Sequence, residues 1–507
     1  EVKHAATLLQ DPTSRLENAY QGKVTVEFCQ HLAIHLADLP SKLIAALKRL
    51  ATFANPKYFE AQRLRFSTWN IPRYICCAEL DGNSLTLPRG LYDECLDLLR
   101  IAGAKVILID KRHPYSNIAV SFNGELLPDQ MDACKTLSKQ VSGVFVAPPG
   151  SGKTVIACSL IAELKLPTLI LVHRKQLVEQ WKARLTEFLL FDKKAIGVLG
   201  VEEKKRTGII DIGMLQTISR MKNNSNVINE YGLIIIDECH HVPAISFESV
   251  LKRISALHFI GLTATPYRKD GHQAIIHMQC GPIVSTMAET QAQIDLIKRV
   301  VIRETNLSLP VNAPPQPAIH QIWEWLVQDQ DRLRLVAMDV IEALKQKRFP
   351  LILSDRKDHL DLLYNEICKN TDELNAKGYI LTSSTGKRER NKILQEIKAM
   401  LVTKQSPFLL STGSLIGEGF DQPELSTLFL AMPLSFKGRL IQYAGRLHRA
   451  SSGKSEVIVY DYVDKGLALG ISMFRKRLTT YRKMGYTITF EEGSRLAKKS
   501  DKAQKRP

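Results

Sequence analysis

No apolar run in this chain approaches the roughly 18 residues that a membrane span requires, so no transmembrane segment and no membrane partner are expected. The amino terminus, EVKHAATLLQDPTSR, lacks the basic, apolar and small-residue order of a secretion signal and lacks an initiating Met, which makes a fragment of a longer protein one expectation. The nine cysteines form no C-x-x-C pair and no Cys/His ladder at zinc spacing, which speaks against a structural zinc site. Most of them sit inside apolar runs such as VIACSL and are expected as buried free thiols in a reducing compartment, the cytoplasm, or its nucleoid in a bacterial or phage setting. Acidic residues are in deficit, 52 Asp and Glu against 69 Lys and Arg, for a formal net charge of +17. That imbalance points to a polyanionic partner, nucleic acid before membrane. Hydrophobic residues make up 45% and charged residues 24%, ordinary values for globular domains, and 507 residues exceed what one core supports.

What is present is a repeated grammar. Between residues 141 and 265 the β-rich runs VSGVFVAP, TLILVH, GIIDIGML, LIIID and FIGLTAT each precede a loop or an amphipathic stretch. A second series from residue 350, PLILS, YILTSST, FLLST, STLFLAM and EVIVYDYV, does the same, with helical pieces such as RNKILQEIKAML between. Apolar strands alternating with helices predict two tandem α/β domains, each a parallel sheet with helices on both faces. The Pro-rich stretch RETNLSLPVNAPPQPAIHQ predicts a linker at 303–325. Residues 1–122 lack this alternation and read as a small α+β module: a helical region, HLADLPSKLIAALKRLATFA, then a hairpin turning at Gly82-Asn83, then a helix. The domains are therefore expected at 1–122, 123–302 and 326–468, with a basic extension at 469–507 ending in a disordered tail.

APPGSGKT, residues 147–154, follows a β-rich run and opens a helical one. Successive backbone N–H groups from Gly150 to Thr154 at a helix N-terminus form a positive cradle for phosphates, to which Ala147, Pro148, Pro149, Ser151 and Gly152 contribute the loop. Lys153 is placed to reach the β- and γ-phosphates, and Thr154 to give a hydroxyl to Mg²⁺, so ATP and Mg²⁺ are the expected cofactors. LIIIDECHH ends an apolar strand in two acids, with Asp237 suited to the Mg²⁺ shell and Glu238 to orienting or deprotonating the attacking water. His240 and His241 have no further ligands at a useful spacing and are not read as a metal site. In QYAGRLHR, Arg446 and Arg449 stand three apart with no acidic residue in the stretch, on one expected helix face. In-line phosphoryl transfer builds negative charge that an inserted guanidinium stabilises. The reading that joins these motifs has phosphates held by the first α/β domain and arginine fingers lent by the second, with closure dependent on ATP.

In order, LLPDQ, APPGSGKT, LVHRKQLVEQW, LQT, DECH, LTATP, STGSLIGEGFD and QYAGRLHR resemble motifs Q, I, Ia, Ib, II, III, V and VI of the superfamily 2 helicases, over roughly residues 122–465. DECH in place of DEAD and TAT in place of SAT are closer to the XPB/UvsW-like branch than to the DEAD-box RNA helicases. The resemblance implies two RecA-like domains, Gln130 against adenine, Gly419 and Asp421 at the nucleotide cleft, and Gln442 among the catalytic residues of motif VI. It further implies Arg174, Gln216, Thr217 and Thr412 on the nucleic-acid backbone, with Thr263 and Thr265 coupling that strand to ATP. The N-terminal module resembles the small DNA-engaging, damage-recognition-like domain of that branch. Its stretch NPKYFEAQRLRFSTWNIPRYI interleaves Arg63, Arg65 and Arg73 with Phe66, Trp69 and Tyr74, a mixture suited to phosphate contact and base stacking. A second basic stretch, MFRKRLTTYRKMGY, reads as a helix with a basic stripe that is duplex-gripping or simply exposed.

The function expected is an ATP-dependent DNA helicase or translocase acting on single-stranded, forked or branched DNA or R-loops, with 3′ to 5′ movement implied by resemblance. An RNA-dependent ATPase and an ATP-switched clamp that does not unwind are the alternatives, and a nuclease or primase is a further partner considered.

Overall fold

The computed structural model describes residues 16–199, 206–220, 228–241, 248, 250–264, 273–288, 295–307, 309–310, 313–314, 317–369, 371, 374–382, 384–403, 405–413, 422–434, 437–449, 451, 454–491 and 496. The chain divides into two compact units, Glu1–Ala288 and Glu289–Pro507. Each unit carries one large parallel sheet, and the first carries the α+β module as well.

The module is built from β1 (Lys23–Phe28), β2 (His31–His35), α1 (Ser41–Leu50), β3 (Thr52–Ala54), α2 (Pro56–Arg63), β4 (Tyr74–Cys76), β5 (Glu79–Asp81), β6 (Ser84–Pro88), α3 (Tyr92–Ile101) and β7 (Lys105–Asp110). Its sheet runs in the order β5-β6-β2-β1-β7. The hairpin turns at Gly82-Asn83 as the sequence suggests, with Gly82 at φ 53°, a conformation the short turn needs and glycine supplies. The predicted helical region is shorter than expected. It stops at Leu50 because Thr52–Ala54 pairs with Tyr74–Cys76 as strands. Arg89, just after β6, anchors the module to the rest of the unit: fully buried, it lies 3.8 Å over the Phe259 ring and donates to the Ala256 carbonyl at 2.9 Å.

The larger part of the first unit contains β8 (Ser121–Phe122), α4 (Pro128–Ser138), β9 (Ser142–Val146), α5 (Lys153–Leu164), β10 (Thr168–Val172), α6 (Lys175–Phe188), β11 (Leu189–Leu190), β12 (Ile196–Leu199), β13 (Ile210–Met214), α7 (Leu215–Arg220), β14 (Leu233–Asp237), β15 (His258–Thr263), α8 (Gln273–Cys280) and β16 (Ile283–Thr286). The sheet order is β12-β13-β10-β14-β15-β9-β16, and the pairings are parallel. Strands covered on both faces need unbroken apolar runs. Ile170, Leu171, Ile234, Ile235 and Ile260 accordingly have no exposed surface. All carboxyl ends of these strands open on one edge, where β/α loops collect functional groups.

The second unit contains β17 (Ile297–Thr305), α9 (Ile319–Gln328), α10 (Gln330–Lys345), β18 (Pro350–Leu353), α11 (Lys357–Cys368), β19 (Ala376–Leu381), α12 (Lys387–Val402), β20 (Ser406–Ser411), β21 (Thr427–Leu430), α13 (Lys437–Leu447), β22 (Glu456–Asp464), α14 (Ala468–Lys483) and β23 (Thr487–Phe490). Its parallel sheet has the order β19-β20-β18-β21-β22-β17-β23. The stretch 303–325, suggested as a linker, begins inside β17 and ends inside α9. β17 pairs along its whole length with β22, and both strands belong to the second unit. Among the described residues no helix is long and apolar enough to cross a membrane. Cys77, Cys95, Cys134, Cys158, Cys239 and Cys280 are buried free thiols, as expected, whereas Cys76 is exposed.

A buried polar network fixes the second unit. Arg332 of α10 donates to both Asp464 carboxylate oxygens at 2.9 and 3.0 Å, to Thr305 Oγ1 at 2.9 Å and to the Ala431 carbonyl at 3.0 Å, and both ionic side chains are 1% exposed. Removing one member of such a pair strands the other's charge. Arg332→Met is expected to cost about 3–5 kcal/mol, read as a lower urea midpoint, and adding Asp464→Leu is expected to restore most of the loss. A single variant no less stable than the parent would show that Asp464 is not left uncompensated.

Candidate nucleotide and nucleic-acid site

Three neighbouring strands deliver the nucleotide motifs to one edge. β15 lies between β9 and β14, pairing Val146 with Thr263 and Asp237 with Leu262, and the Ala147 N–H donates to the Thr263 carbonyl at 3.0 Å. The glycine loop leaves β9, passes through Gly150 and Gly152 at φ 84° and 87°, and enters α5 at Lys153. A side chain at Gly152 is barred twice, by the left-handed backbone and by the Gln130 amide, 2.5 Å from where a Cβ would sit. Gln130 accepts from the Leu127 N–H at 3.0 Å and donates to the Ser151 carbonyl at 3.0 Å, so the glutamine at the start of α4 braces the loop. Ser151 Oγ ties back to the Pro148 carbonyl at 2.7 Å. The Lys153 ammonium donates to the Ala147 and Pro148 carbonyls at 2.9 and 3.1 Å, folded over the loop it is expected to serve.

The α5 N-terminus has no acid in its first turn, and its first residue is a lysine. That placement works against the helix dipole and favours an incoming anion. The loop therefore fits a polyphosphate. Thr154 and Asp237 offer hard oxygen donors of the kind Mg²⁺ uses beside substrate phosphates, with no all-protein cage required. Among the described residues no group of three or more His, Cys, Asp or Glu forms such a cage.

Asp237, the last residue of β14, has its pKa pushed up from 3.8 to about 6, first by burial and then by the charge of Glu238, against the opposing pull of a hydrogen bond from Trp181 Nε1 at 2.8 Å. Glu238 follows at φ 47°, left-handed for a residue with a side chain, which marks a locally strained backbone at an acid expected to act. His240 Nδ1 lies 2.7 Å from Thr263 Oγ1 and 3.4 Å from Glu238 Oε2. DECH and TAT are thus joined by a direct side-chain contact.

The raised pKa has a consequence for stability. An acid harder to ionise in the fold than in the unfolded chain adds stability that is complete below the unfolded value and lost as pH rises through the folded one. Asp237→Asn removes the ionisation. It is expected to raise the first unit's unfolding free energy by on the order of 2–3 kcal/mol above pH 6, with the gain shrinking as pH falls and gone near pH 4. Urea midpoints measured across that range check it, and a pH-independent difference would contradict the assigned cause.

The expected strand contacts lie along the same edge. Arg174 is the N-cap of α6 after β10, Gln216 and Thr217 open α7 after the adjacent β13, and Gln216 Nε2 donates to the His173 carbonyl at 2.8 Å. In the module, Arg63, Arg65, Phe66, Arg73 and Tyr74 are exposed, and Trp69 is 91% exposed. Asn55 pins the base of this loop: its amide accepts from the Lys57 N–H at 3.1 Å and donates to the Pro72 carbonyl at 2.8 Å. The Arg73 guanidinium lies 5.6 Å from the Tyr74 ring centre and 6.0 Å from that of Phe59.

In the second unit Thr412 is buried directly after β20, and the next residue, Gly413, is glycine because a Cβ there would collide with the Tyr443 hydroxyl of α13. Gln442 is buried on α13, while Arg446 and Arg449 are partly exposed. The two arginines do not share a helix face as expected. α13 ends at Leu447, and Arg449 lies past its end, beyond His448, whose Nε2 is 2.9 Å from Tyr486 Oη. The basic stripe expected at 473–486 is a helix, α14, but Arg477 is buried and donates to both Asp461 oxygens at 2.7 and 2.8 Å. It holds the unit together and is unavailable to a duplex. Thr265, Gly419 and Asp421 lie outside the described residues. Sequence reading missed Trp181, whose only signal was a tryptophan in a motif helix that reads equally as core.

Comparison with known proteins extends these observations. Residues 123–268 match the family described as type III restriction enzyme, res subunit, and residues 334–451 match the helicase conserved C-terminal domain. The chain is 27% identical over 421 residues to "Probable helicase D10" of Escherichia phage T5, covering 80% of this chain and 86% of that one. It is 24% identical over 375 residues to the DNA 3′-5′ translocase XPB2 of Sulfurisphaera tokodaii, covering 68% and 82%. Among solved structures, S. cerevisiae Dbp5 bound to RNA and ADP BeF3 aligns at TM-score 0.50 and 13% identity over 75% of this chain and 93% of that one, a likeness of fold. With both helicase domains matched, and the described motif residues carried by two parallel sheets, the chain belongs to the superfamily 2 helicases, in the XPB-like branch.

Proposed function

We propose that this helicase is a DNA motor that couples Mg²⁺-dependent ATP hydrolysis to 3′ to 5′ movement along DNA, unwinding or remodelling forked and branched duplexes or R-loops. The observation that carries the nucleotide half is the single edge on which Lys153, Asp237 and the His240–Thr263 contact meet. Lys153 binds the β- and γ-phosphates, Thr154 and Asp237 hold Mg²⁺, and Glu238 orients the attacking water. Mg²⁺ supplies charge neutralisation on the phosphates. Gln442, Arg446 and Arg449 stabilise charge that develops in the transition state. Gln130 reads adenine, Gly419 and Asp421 line the nucleotide site, and Thr265 acts with Thr263 in coupling.

The DNA half rests on the charge of +17, on DECH and TAT, and on a relative named as a DNA translocase. Arg174, Gln216, Thr217 and Thr412 are assigned to backbone contacts, which suit a motor indifferent to sequence. Residues 1–122 are assigned to a DNA-engaging module, in which Arg63, Arg65 and Arg73 meet phosphates and the exposed Trp69 stacks on an unpaired base. Within residues 469–507, expected as a basic extension, α14 and β23 pack into the second unit.

ATP hydrolysis measured with single-stranded DNA, forked DNA and RNA, beside strand displacement on the fork, tests the proposal. Stimulation by DNA with strand release is expected. Stimulation by RNA alone would replace DNA with RNA as substrate, and hydrolysis without strand release would make the chain a switched clamp.

A further inference from the structure

The geometry points to Trp181 as a positioning residue for Asp237, through which helix α6 is tied to the acid assigned to the metal shell. This rests on that assignment of Asp237. Trp181 is 2% exposed and packed within the core around α5 and β10, so its ring position is set by its neighbours. An indole N–H can only donate, and a buried one needs an acceptor. The acceptor is Asp237 Oδ2, at 2.8 Å. A carboxylate at a strand end can rotate, but one oxygen held by a fixed donor sets the plane of the group and leaves Oδ1 for other partners.

Trp181 therefore holds the acid in orientation. Its place in the fold adds a second consequence. Arg174, assigned to the nucleic-acid backbone, caps the helix on which Trp181 lies two turns further on. A rigid helix of that length carries a displacement at its N-terminus to the indole, and so to Asp237.

The test is calorimetric titration of Mg²⁺ into ADP-saturated full chain, for the parent, Trp181→Phe, Asp237→Asn and the double variant. Phenylalanine keeps most of the ring volume and removes the donor. Trp181→Phe is expected to weaken Mg²⁺ binding roughly 10-fold or more, the usual effect of losing an outer-shell partner. In the Asp237→Asn background the same change is expected to add less than about 2-fold, because the partner through which it acts is gone. Parent-like Mg²⁺ binding in Trp181→Phe, with binding lost in Asp237→Asn, overturns the role of Trp181 alone. Binding unaffected in both variants overturns the assignment of Asp237, and this proposal with it.

A second measurement needs no change at Trp181 and guards against a variant that does not fold. In protein labelled with ¹⁵N at tryptophan, Asp237→Asn is expected to move the Trp181 indole N–H resonance while those of Trp69, Trp323 and Trp325 stay. An unmoved Trp181 resonance overturns the proposal.

Discussion

Lys153→Ala is expected to lower ATP hydrolysis by roughly 10³-fold or more while leaving the fold as stable as the parent. Catalysis of phosphoryl transfer is almost entirely positioning and electrostatics, and loss of a single preorganised donor already costs about 10²–10³ in turnover. Lys153 carries a full charge, so the loss falls at or beyond the upper end. Its structural role predicts the opposite sign. The ammonium donates to the carbonyls of Ala147 and Pro148, and it sits at the first position of α5, where the helix dipole disfavours a cation and no acid in the first turn compensates. Alanine removes that repulsion and is a better helix former. A melting temperature equal to or slightly above the parent's, together with lost hydrolysis, is therefore the paired result. A variant that hydrolyses ATP at a tenth of the parental rate would remove Lys153 from the phosphates, and a marked loss of stability would recast it as a structural tie for the loop.

That divergence between function and stability recurs at Asp237 and at Glu238, and it explains what the sequence could and could not reveal. β9, β10, β13, β14 and β15 were legible because strands buried on both faces read as unbroken apolar runs ended by turn residues. β17 was not, because only one residue in two faces the core along most of it. Arg299 and Arg303 occupy the alternate positions, and the Pro-rich stretch begins just beyond. A half-exposed strand beside prolines resembles a linker until its partner β22 is known.

The site divides in the same way. The glycine loop and DECH were legible because their chemistry is local, a run of backbone N–H groups or a pair of acids at a strand end. Contacts between motifs were not. Nothing in the order of residues says that Gln130 braces Ser151, that His240 meets Thr263, or that the Trp181 indole reaches Asp237. Those depend on which strands become neighbours, and β15 comes to lie between β9 and β14 only through the sheet order. The helix carrying Arg446 was legible as well, but its end was not. No glycine or proline closes it, and the chain leaves α13 at Leu447 while His448 is drawn to Tyr486, a residue more than thirty positions away.

The position of Arg449 past that end gives the second large expectation. A guanidinium on a rigid helix is fixed with the helix, whereas one beyond its last turn owes its place to the anchored His448 and to its own contacts. Arg449→Ala is expected to reduce turnover by roughly 10³- to 10⁵-fold, the range associated with an arginine finger, while ATP binding changes by no more than a few fold. The split follows from where the charge is needed. An arginine that acts on charge developing during transfer contributes little to the ground state, so its removal lowers kcat and kcat/KM together. Nucleotide affinity measured with a fluorescent ATP analogue, beside steady-state turnover, separates the two cases. Turnover near the parental rate would strip Arg449 of the role, leaving Arg446 to be tested in the same way. Equal losses in binding and turnover would make Arg449 a ground-state ligand of ATP. His448→Ala supplies the control for placement. It leaves the guanidinium intact but releases its neighbour from Tyr486, so a partial loss of turnover, partway between parent and Arg449→Ala on a logarithmic scale, is the outcome expected if the anchor at the end of α13 sets where the charge is held.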